Sequence, residues 1–330
     1  MQQINISVLV PIYGVEKYID RFARSLFNQS MTKGVEFVFI DDCSIDNSIP
    51  NLKKVINEYP QLKEQIRIER LPKNTGLLGA RLAGLQLVHG DYTICFDSDD
   101  WIEPTMLEDM YNKATRDNCD VVISDYFEDT PTKQKLRVQR PDDLDGKECM
   151  NQILSKGLHG SWCNKMFKTE LVLNKKIIKP EIGMNVMEDL MMTAQLMYHS
   201  KKVGYINKAY YHYCLRAGST FYSTNRNNFV SILYAYDFIK KFYKANKIEG
   251  QTSINALRTF RITTLSIVAL DGYKFDLVNY NNYKYLRPYI MKHQGLTRSY
   301  KRNLWLRVSG LKSLASTLIF VRNLTKKKKI

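Results

Sequence analysis

No uncharged apolar run in this 330-residue sequence reaches the roughly 20 residues that a membrane-spanning helix needs, so no transmembrane helix is expected. The segment Met1–Val10 has no basic flank, and its apolar run is too short for a signal-peptide core, so export is not expected either. Cysteine is sparse and scattered. Cys43, Cys95, Cys119, Cys149, Cys163 and Cys214 form no C-x-x-C pair, which removes the usual zinc and redox motifs and suits reduced thiols in a cytoplasmic protein. From Asn227 onward there is neither an internal repeat nor a Gly-rich phosphate loop.

Acidic residues are outnumbered, 33 against 49 Lys and Arg, for a formal net charge of +16. A charge of that size suggests nucleic acid until its location is considered. Met291–Ile330 holds 11 basic residues and no acidic one, which leaves 38 basic against 33 acidic in the remaining 290 residues. The basic character belongs to the tail, where no aromatic-interleaved groove accompanies it, so no nucleic-acid partner is expected.

From Ile6 to Ser124 short apolar runs alternate with segments of helical period, the pattern of consecutive β-α units around a parallel sheet. Strands are expected at Ile6–Val10, Glu36–Ile40, Ile66–Arg70, Tyr92–Phe96 and Val121–Ser124. The intervening helices are expected at Val15–Gln29, Ser48–Tyr59, Gly76–His89 and Thr105–Asn118. Thr130–Asp145 reads as a loop or boundary, Met187–His199 as a helix and Tyr205–Tyr213 as a strand. With 44% hydrophobic and 12% aromatic residues the chain can bury a substantial core, and two domains, or one with an extension, are expected.

In such a sheet, ligands meet the carboxyl ends of the strands, and three of these ends carry polar clusters. They are Asp41-Asp42-Cys43-Ser44-Ile45-Asp46, Lys73-Asn74-Thr75-Gly76 leading into a helix with Arg81, and Asp97-Ser98-Asp99-Asp100. Paired carboxylates at a strand end suit a hard divalent cation that also bridges substrate phosphates, here Mg²⁺ or Mn²⁺. The bland alternatives are helix capping, by Asp-Ser-Asp-Asp before the helix near Pro104 and by Asp46 or Ser48 before the second helix, the last being preferred. Met187-Glu188-Asp189-Leu190 offers a further acidic pair at the start of a helix.

Taken in order, Ser7 to Ile19, the Phe39 to Asp46 turn, Asn74-Thr-Gly76 with Ala80-Arg81, and Gly90 to Asp100 resemble the family-two inverting glycosyltransferases of the GT-A fold, as found in bacterial polysaccharide synthesis. The resemblance is dense over about the first 125 residues and continues more thinly to about residue 220. It implies an α/β GT-A domain over residues 1–225, with a nucleotide-sugar half (1–125) and an acceptor half (126–225), then a helical extension over 226–330. It implies that Asp41 or Asp42 accepts a hydrogen bond from the base, with Pro11 and Tyr13 lining base and ribose and Asn74 and Ser98 in the donor site. Arg81 would approach the nucleotide, Asp97 would reach the ribose or the metal, and Asp99 would be the principal metal ligand. Cys43 stands where relatives often carry Gly, and Leu82 where they often carry Asn.

The same resemblance makes Asp189, with Glu188 beside it, the base for an acceptor hydroxyl, a role that desolvation suits by raising a carboxylate's pKa. Trp162, near Asn164 and Lys165, is either a platform for the acceptor sugar or a core residue. Tyr211-His-Tyr-Cys-Leu-Arg216 with Ser219 resembles a loop that closes on the diphosphate, where Arg216 would neutralise the leaving group. His212 is a metal ligand or, preferably, a strand-surface residue.

The implied partners are a nucleotide-diphosphate sugar, by expectation a UDP-sugar, and a glycan or lipid-linked glycan acceptor. A nucleotidyltransferase would place a basic Gly-rich loop after the first strand, where this sequence reads Pro11-Ile-Tyr-Gly-Val. A non-catalytic scaffold would have no need of the two acidic pairs. Leu304, Val308, Leu311, Ala315 and Leu318 recur at helical spacing in the basic tail, which suggests one amphipathic helix on an anionic membrane face.

Overall fold

A computed structural model of the chain describes residues 3–155, 157–184, 186–216 and 225–327; residues 1, 219 and 330, named above, lie outside them, as do residues 328 and 329 of the basic tail. Two compact units emerge, Met1–Ile153 with Gly157–Ser219, and Thr220–Ile330 with Leu154–Lys156.

The first unit opens with β1 (Ile6–Ile12), every residue of which is buried, as befits a central strand covered on both faces. Helix α1 (Ile19–Phe27) follows, and its buried Ile19, Phe22, Ala23 and Leu26 fall on one face at helical spacing. β2 (Val35–Asp41), α2 (Ser48–Asn57), β3 (Ile66–Arg70), α3 (Gly76–Gly84) and β4 (Tyr92–Cys95) complete the β-α series, with β3-β2-β1-β4 all parallel. The expected helix Gly76–His89 stops five residues early. The chain must turn there to place Tyr92 beside Ile6, and Gly90 passes so close to β1 that a methyl group on it would lie 2.6 Å from the Ser7 nitrogen.

Beyond β4 the sheet departs from a parallel reading. β5 (Trp101–Ile102), α4 (Met106–Arg116), β6 (Val121–Asp129), β7 (Gln134–Arg137), α5 (Gly146–Ser155), β8 (Lys165–Lys168), α6 (Thr169–Val172), α7 (Glu188–His199) and β9 (Val203–Cys214) follow in the chain. The sheet order is β3-β2-β1-β4-β8-β6-β9-β5, with β7 on β6. β8 enters antiparallel between β4 and β6. This insertion carries the segment before β8, and α7 after it, to the sheet edge where β4 ends. The expected loop Thr130–Asp145 contains β7, a hairpin partner of β6.

The second unit is helical: α8 (Arg226–Ala245), α9 (Gln251–Leu270), α10 (Arg287–Ile290), α11 (Arg298–Val308) and α12 (Lys312–Lys327). The single tail helix expected from the apolar spacing is two helices, parted at Gly310, whose φ of +84° suits glycine. Leu304 and Val308 are buried in this unit's own core with Ile262, Leu265 and Ile290, so part of the apolar stripe is already used. Among the described residues no helix is long and apolar enough to cross a membrane.

Gly90→Ala is expected to lower stability by about 1–3 kcal/mol, because the methyl group meets β1 backbone that cannot rotate away. Urea unfolding monitored by tryptophan fluorescence checks it, and a wild-type midpoint would contradict the close approach.

Candidate active site

The turn after β4 divides its four side chains between structure and chemistry. Ser98 Oγ donates to the Pro11 carbonyl at 2.8 Å and ties the ends of β4 and β1 together. Asp100, fully buried, accepts from the Cys214 N–H at 2.7 Å and from the Tyr211 hydroxyl, so it fastens β9 beneath the turn. Burial, with Asp99 and Asp97 close by, raises its pKa well above the usual carboxylate range. Asp97 and Asp99 keep 25% and 21% of their side-chain surface open and are the two that can meet a ligand. Ser98, expected in the donor site, is instead a structural tie.

The turn after β2 is likewise occupied from within. Asp42 Oδ1 accepts from the Thr75 N–H (2.7 Å) and hydroxyl (2.9 Å), its Oδ2 accepts from the Gly76 N–H (2.8 Å), and Asn74 Nδ2 donates to its carbonyl (3.1 Å). Asp42 and Asn74 thus anchor the start of α3. Asp41 holds the Ser44 N–H at 2.7 Å and Arg70 at 2.6 Å. Arg70 is largely exposed, so Asp41 is the acid in this turn that a base could reach by displacing a surface partner. Pro11 is buried in β1, while Tyr13 is exposed beside it. Cys43 sits at φ +62°, a left-handed conformation that favours glycine. Asp46 does not cap α2 from the cap position, which Asn47 holds. It accepts from the Ser48 N–H and hydroxyl and also from the Glu16 N–H, bracing α2 against the loop after β1.

Arg81 departs most from expectation. Its guanidinium is buried and pairs with three carboxylates: Asp97 at 2.7 Å, Glu188 at 3.6 Å, and Asp189. It therefore joins the acidic turn of β4 to the first turn of α7. Burial opposes its charge, but Asp189 and then Asp97 override this, so it stays protonated. Its Nε is buried with no hydrogen-bond partner. With one cation against three acids, burial raises Glu188 to about 7, helped by the adjacent Asp189 charge and opposed by Arg81. Asp189 is also raised by burial, with Arg81 opposing and Asp97 adding to the shift. Asp189 keeps 24% of its side-chain surface open and Glu188 only 8%, so Asp189 is the more accessible of the two acids. Met187, immediately before them, has φ +71°, a strained entry that sets the direction of this first turn.

The other charged pair stands across the turn. Arg216 binds Asp99 and lies 4.7 Å over the Tyr18 ring. Arg21 on α1, which the sequence reading missed, donates to the Asp99 carbonyl at 3.1 Å. Burial and then Asp97 raise Asp99, with Arg216 and Arg21 opposing. Asp97 and Asp99 fit a hard cation: both are partly open oxygen donors, and their crowding gives an excess of negative charge that a cation relieves. Among the described residues no cluster of three or more His, Cys, Asp or Glu forms a closed cage, so substrate oxygens would have to complete the coordination.

Two expected residues are corrected outright. Trp162 is buried, 5.8 Å from the Phe167 ring, so its ring is core and not an open sugar platform; its backbone N–H lies near enough to Asp189 to favour the ionised carboxylate. His212 is not on the strand surface. It is buried, stacked 3.4 Å from Trp101, with Nδ1 2.8 Å from Asp129 and Nε2 3.1 Å from Glu103.

Residues 7–173 match the profile of Glycosyl transferase family 2, and the chain belongs to that family. It is 30% identical over 232 residues to the cholesterol galactosyltransferase of Borreliella burgdorferi, covering 66% of this chain and 62% of that protein. To the putative glycosyltransferase EpsH of Bacillus subtilis it is 28% identical, covering 83% and 79%. Among solved structures, S. aureus TarS 1–349 in complex with UDP-GlcNAc superposes with a TM-score of 0.67 at 19% identity, over 96% of this chain and 91% of that one, a likeness of fold.

Because the folded-state pKa of Glu188 lies above its ordinary 4.5, its contribution to stability is complete below about 4.5 and lost as pH rises through about 7. Glu188→Gln is expected to remove up to roughly 3 kcal/mol of that slope. Urea denaturation at pH 5 and pH 8 measures it; equal slopes in wild type and variant would show that Glu188 titrates normally.

Proposed function

We propose that this chain transfers a sugar, with inversion, from a nucleoside diphosphate donor to a hydroxyl of a glycan or lipid-linked glycan in cell-surface polysaccharide synthesis. The observation that carries the reading is the convergence of Asp97 with Glu188 and Asp189 around Arg81, with Asp99 two residues on in the same turn and paired with Arg216. A donor-side and an acceptor-side pair of acids meet at one strand edge. UDP is the proposed nucleotide, supported by the UDP-GlcNAc that TarS binds.

Asp99, assisted by Asp97, would hold Mn²⁺ or Mg²⁺, and such an ion offsets diphosphate charge as a Lewis acid. Arg216, now on Asp99, would turn to the diphosphate when the cation takes that carboxylate, and Arg21 adds positive charge beside it. Asp189 takes the acceptor hydroxyl proton as that oxygen attacks the anomeric carbon. The bond from that carbon to the phosphate oxygen breaks, and its electron pair leaves with the nucleoside diphosphate. Attack opposite the leaving group inverts the centre in one step, and the raised proton affinity of Asp189 suits it to receive the proton.

Asp189→Asn is expected to leave UDP binding unchanged and to cut transfer by about two to four orders of magnitude. Asp99→Asn should abolish the Mn²⁺ dependence of UDP binding measured by calorimetry. Wild-type transfer by Asp189→Asn would refute the base assignment, and full Mn²⁺ dependence in Asp99→Asn the metal assignment.

A peripheral place on an anionic membrane face is the second part of the proposal. It is supported by exposed Leu311, Leu314 and Phe320 on a chain segment that also carries the Lys326–Lys329 run. Replacing those four lysines with Ala should weaken sedimentation with phosphatidylglycerol vesicles while transfer to a soluble acceptor persists, about 1 kcal/mol per charge at low salt. Unchanged sedimentation would remove the tail from membrane binding.

A further inference from the structure

Lys165, at the start of β8, is fully buried and has no carboxylate within ion-pair distance. A buried ammonium without a counter-charge costs several kcal/mol unless each donor is satisfied. Here all three are: Nζ donates at 2.8 Å to each of the His159 carbonyl, the Ser161 carbonyl and Asn164 Oδ1. The segment 159–164 is therefore folded around the ammonium. Asn164 is held in turn through Nδ2 to the Ser124 carbonyl of β6 at 2.6 Å, so the cradle is fixed to the sheet.

This wrapped segment meets the first turn of α7, which carries the proposed base, at two points. The Trp162 N–H, between the two cradle residues Ser161 and Asn164, lies near enough to the Asp189 carboxylate to favour its ionised form. Gly160 lies against α7 so closely that a methyl group would come within 3.0 Å of the Leu190 Cα. Arg81 fixes the Asp189 carboxylate from α3, and the wrapped segment fixes it from the side of β8. The Lys165 charge also favours ionised Asp189, and that of Asp189 favours protonated Lys165, whose pKa burial lowers to about 8.

We infer that Lys165 is a positioning residue for Asp189: by gathering residues 159–164 around its ammonium it seats Gly160 and the Trp162 N–H against the first turn of α7, which carries the base. The inference rests on the reading of Asp189 as base in sugar transfer. An apolar side chain of similar length at position 165 leaves the His159 and Ser161 carbonyls without their donor and Asn164 Oδ1 with only the Ser161 hydroxyl at 3.3 Å, which frees the segment. The first turn of α7 then loses the segment packed against it.

The test measures kcat, donor KM and UDP affinity for wild type, Lys165→Met, Lys165→Arg, Asp189→Asn and the Lys165→Met/Asp189→Asn double variant, after circular dichroism confirms folding. Lys165→Met should lower kcat by about 10- to 100-fold with donor KM and UDP affinity unchanged. Lys165→Arg, which retains charge and donors, should recover part of the loss. In the Asp189→Asn background Lys165→Met should cost far less, since its effect acts through the base. A folded Lys165→Met with wild-type kcat, or an equal cost in both backgrounds, overturns the inference. If Lys165→Met fails to fold, Asn164→Ala, which removes one of the three acceptors, carries the test, and wild-type kcat in that variant overturns it. Loss in Asp189→Asn without loss in the Lys165 variants defeats this inference alone, whereas wild-type activity in Asp189→Asn defeats the base reading beneath it.

Discussion

The ion pairs of Arg81 are the constraint on which the rest of the site depends. A guanidinium on α3 holds Asp97 from the turn after β4 and Glu188 and Asp189 from α7. Without it three acids would be driven together out of water, and each would take up a proton or move apart. With it the two pairs share one edge of the sheet, and the excess of acid over base sets their proton affinities. The consequence differs by residue. Glu188 is nearly closed to solvent and is pushed to about 7, whereas Asp189 keeps an open side toward which an acceptor can approach. One cation so placed gives two neighbouring carboxylates different roles, as differing environments do for paired acids generally.

The turns that surround this cluster follow a single rule: polar side chains at strand ends are first used to fix backbone, and those left over meet ligands. Asp42 is spent on the start of α3, Ser98 on β1 and Asp100 on β9. Each satisfies N–H, O–H or C=O groups that burial would otherwise orphan. Asp97, Asp99 and Asp189 remain partly open because their fixed partners are charged side chains, which can exchange for a ligand as backbone groups cannot. Arg216 on Asp99 shows the difference, since its guanidinium is itself only partly covered and stands beside the Tyr18 ring.

Much of this was legible in the sequence where the signal is local. The runs of β1 to β4, their polar ends, the Asp97-Ser-Asp99 spacing and the Glu188-Asp189 pair all lie within a few residues of the elements that display them. What could not be read was pairing across distance. Arg81 and Asp189 are 108 residues apart, and Asp42 and Thr75 are 33 apart. Hydrophobic period tells which face of an element is buried but not which acid a buried arginine meets. The antiparallel entry of β8 was hidden for a similar reason, because Lys165–Lys168 is four residues long and begins with a buried lysine that apolar pattern-reading excludes. His212 misled in the opposite sense: a polar residue on a strand reads as solvent-facing, yet two carboxylates and the Trp101 ring make its burial tolerable.

The tail shows how composition can point at the wrong place. Its basic residues dominate the net charge, but Arg261 and Arg307 in the helical unit are buried against tyrosine rings, 4.2 Å from Tyr236 and 5.5 Å from Tyr280 respectively. Charge held on aromatic faces contributes to packing as well as to surface potential. The chemistry lies instead where charge is balanced least comfortably. Arg81 keeps one buried N–H unpaired, and Lys165 sits among neutral oxygens. Apolar side chains of equal volume would pack such positions at less cost, as buried ion pairs are often neutral or unfavourable for stability. A fold that keeps the acids crowded gives up stability for carboxylates of raised proton affinity, and under the proposed mechanism that suits Asp189 to take a hydroxyl proton in the same step that breaks the donor bond.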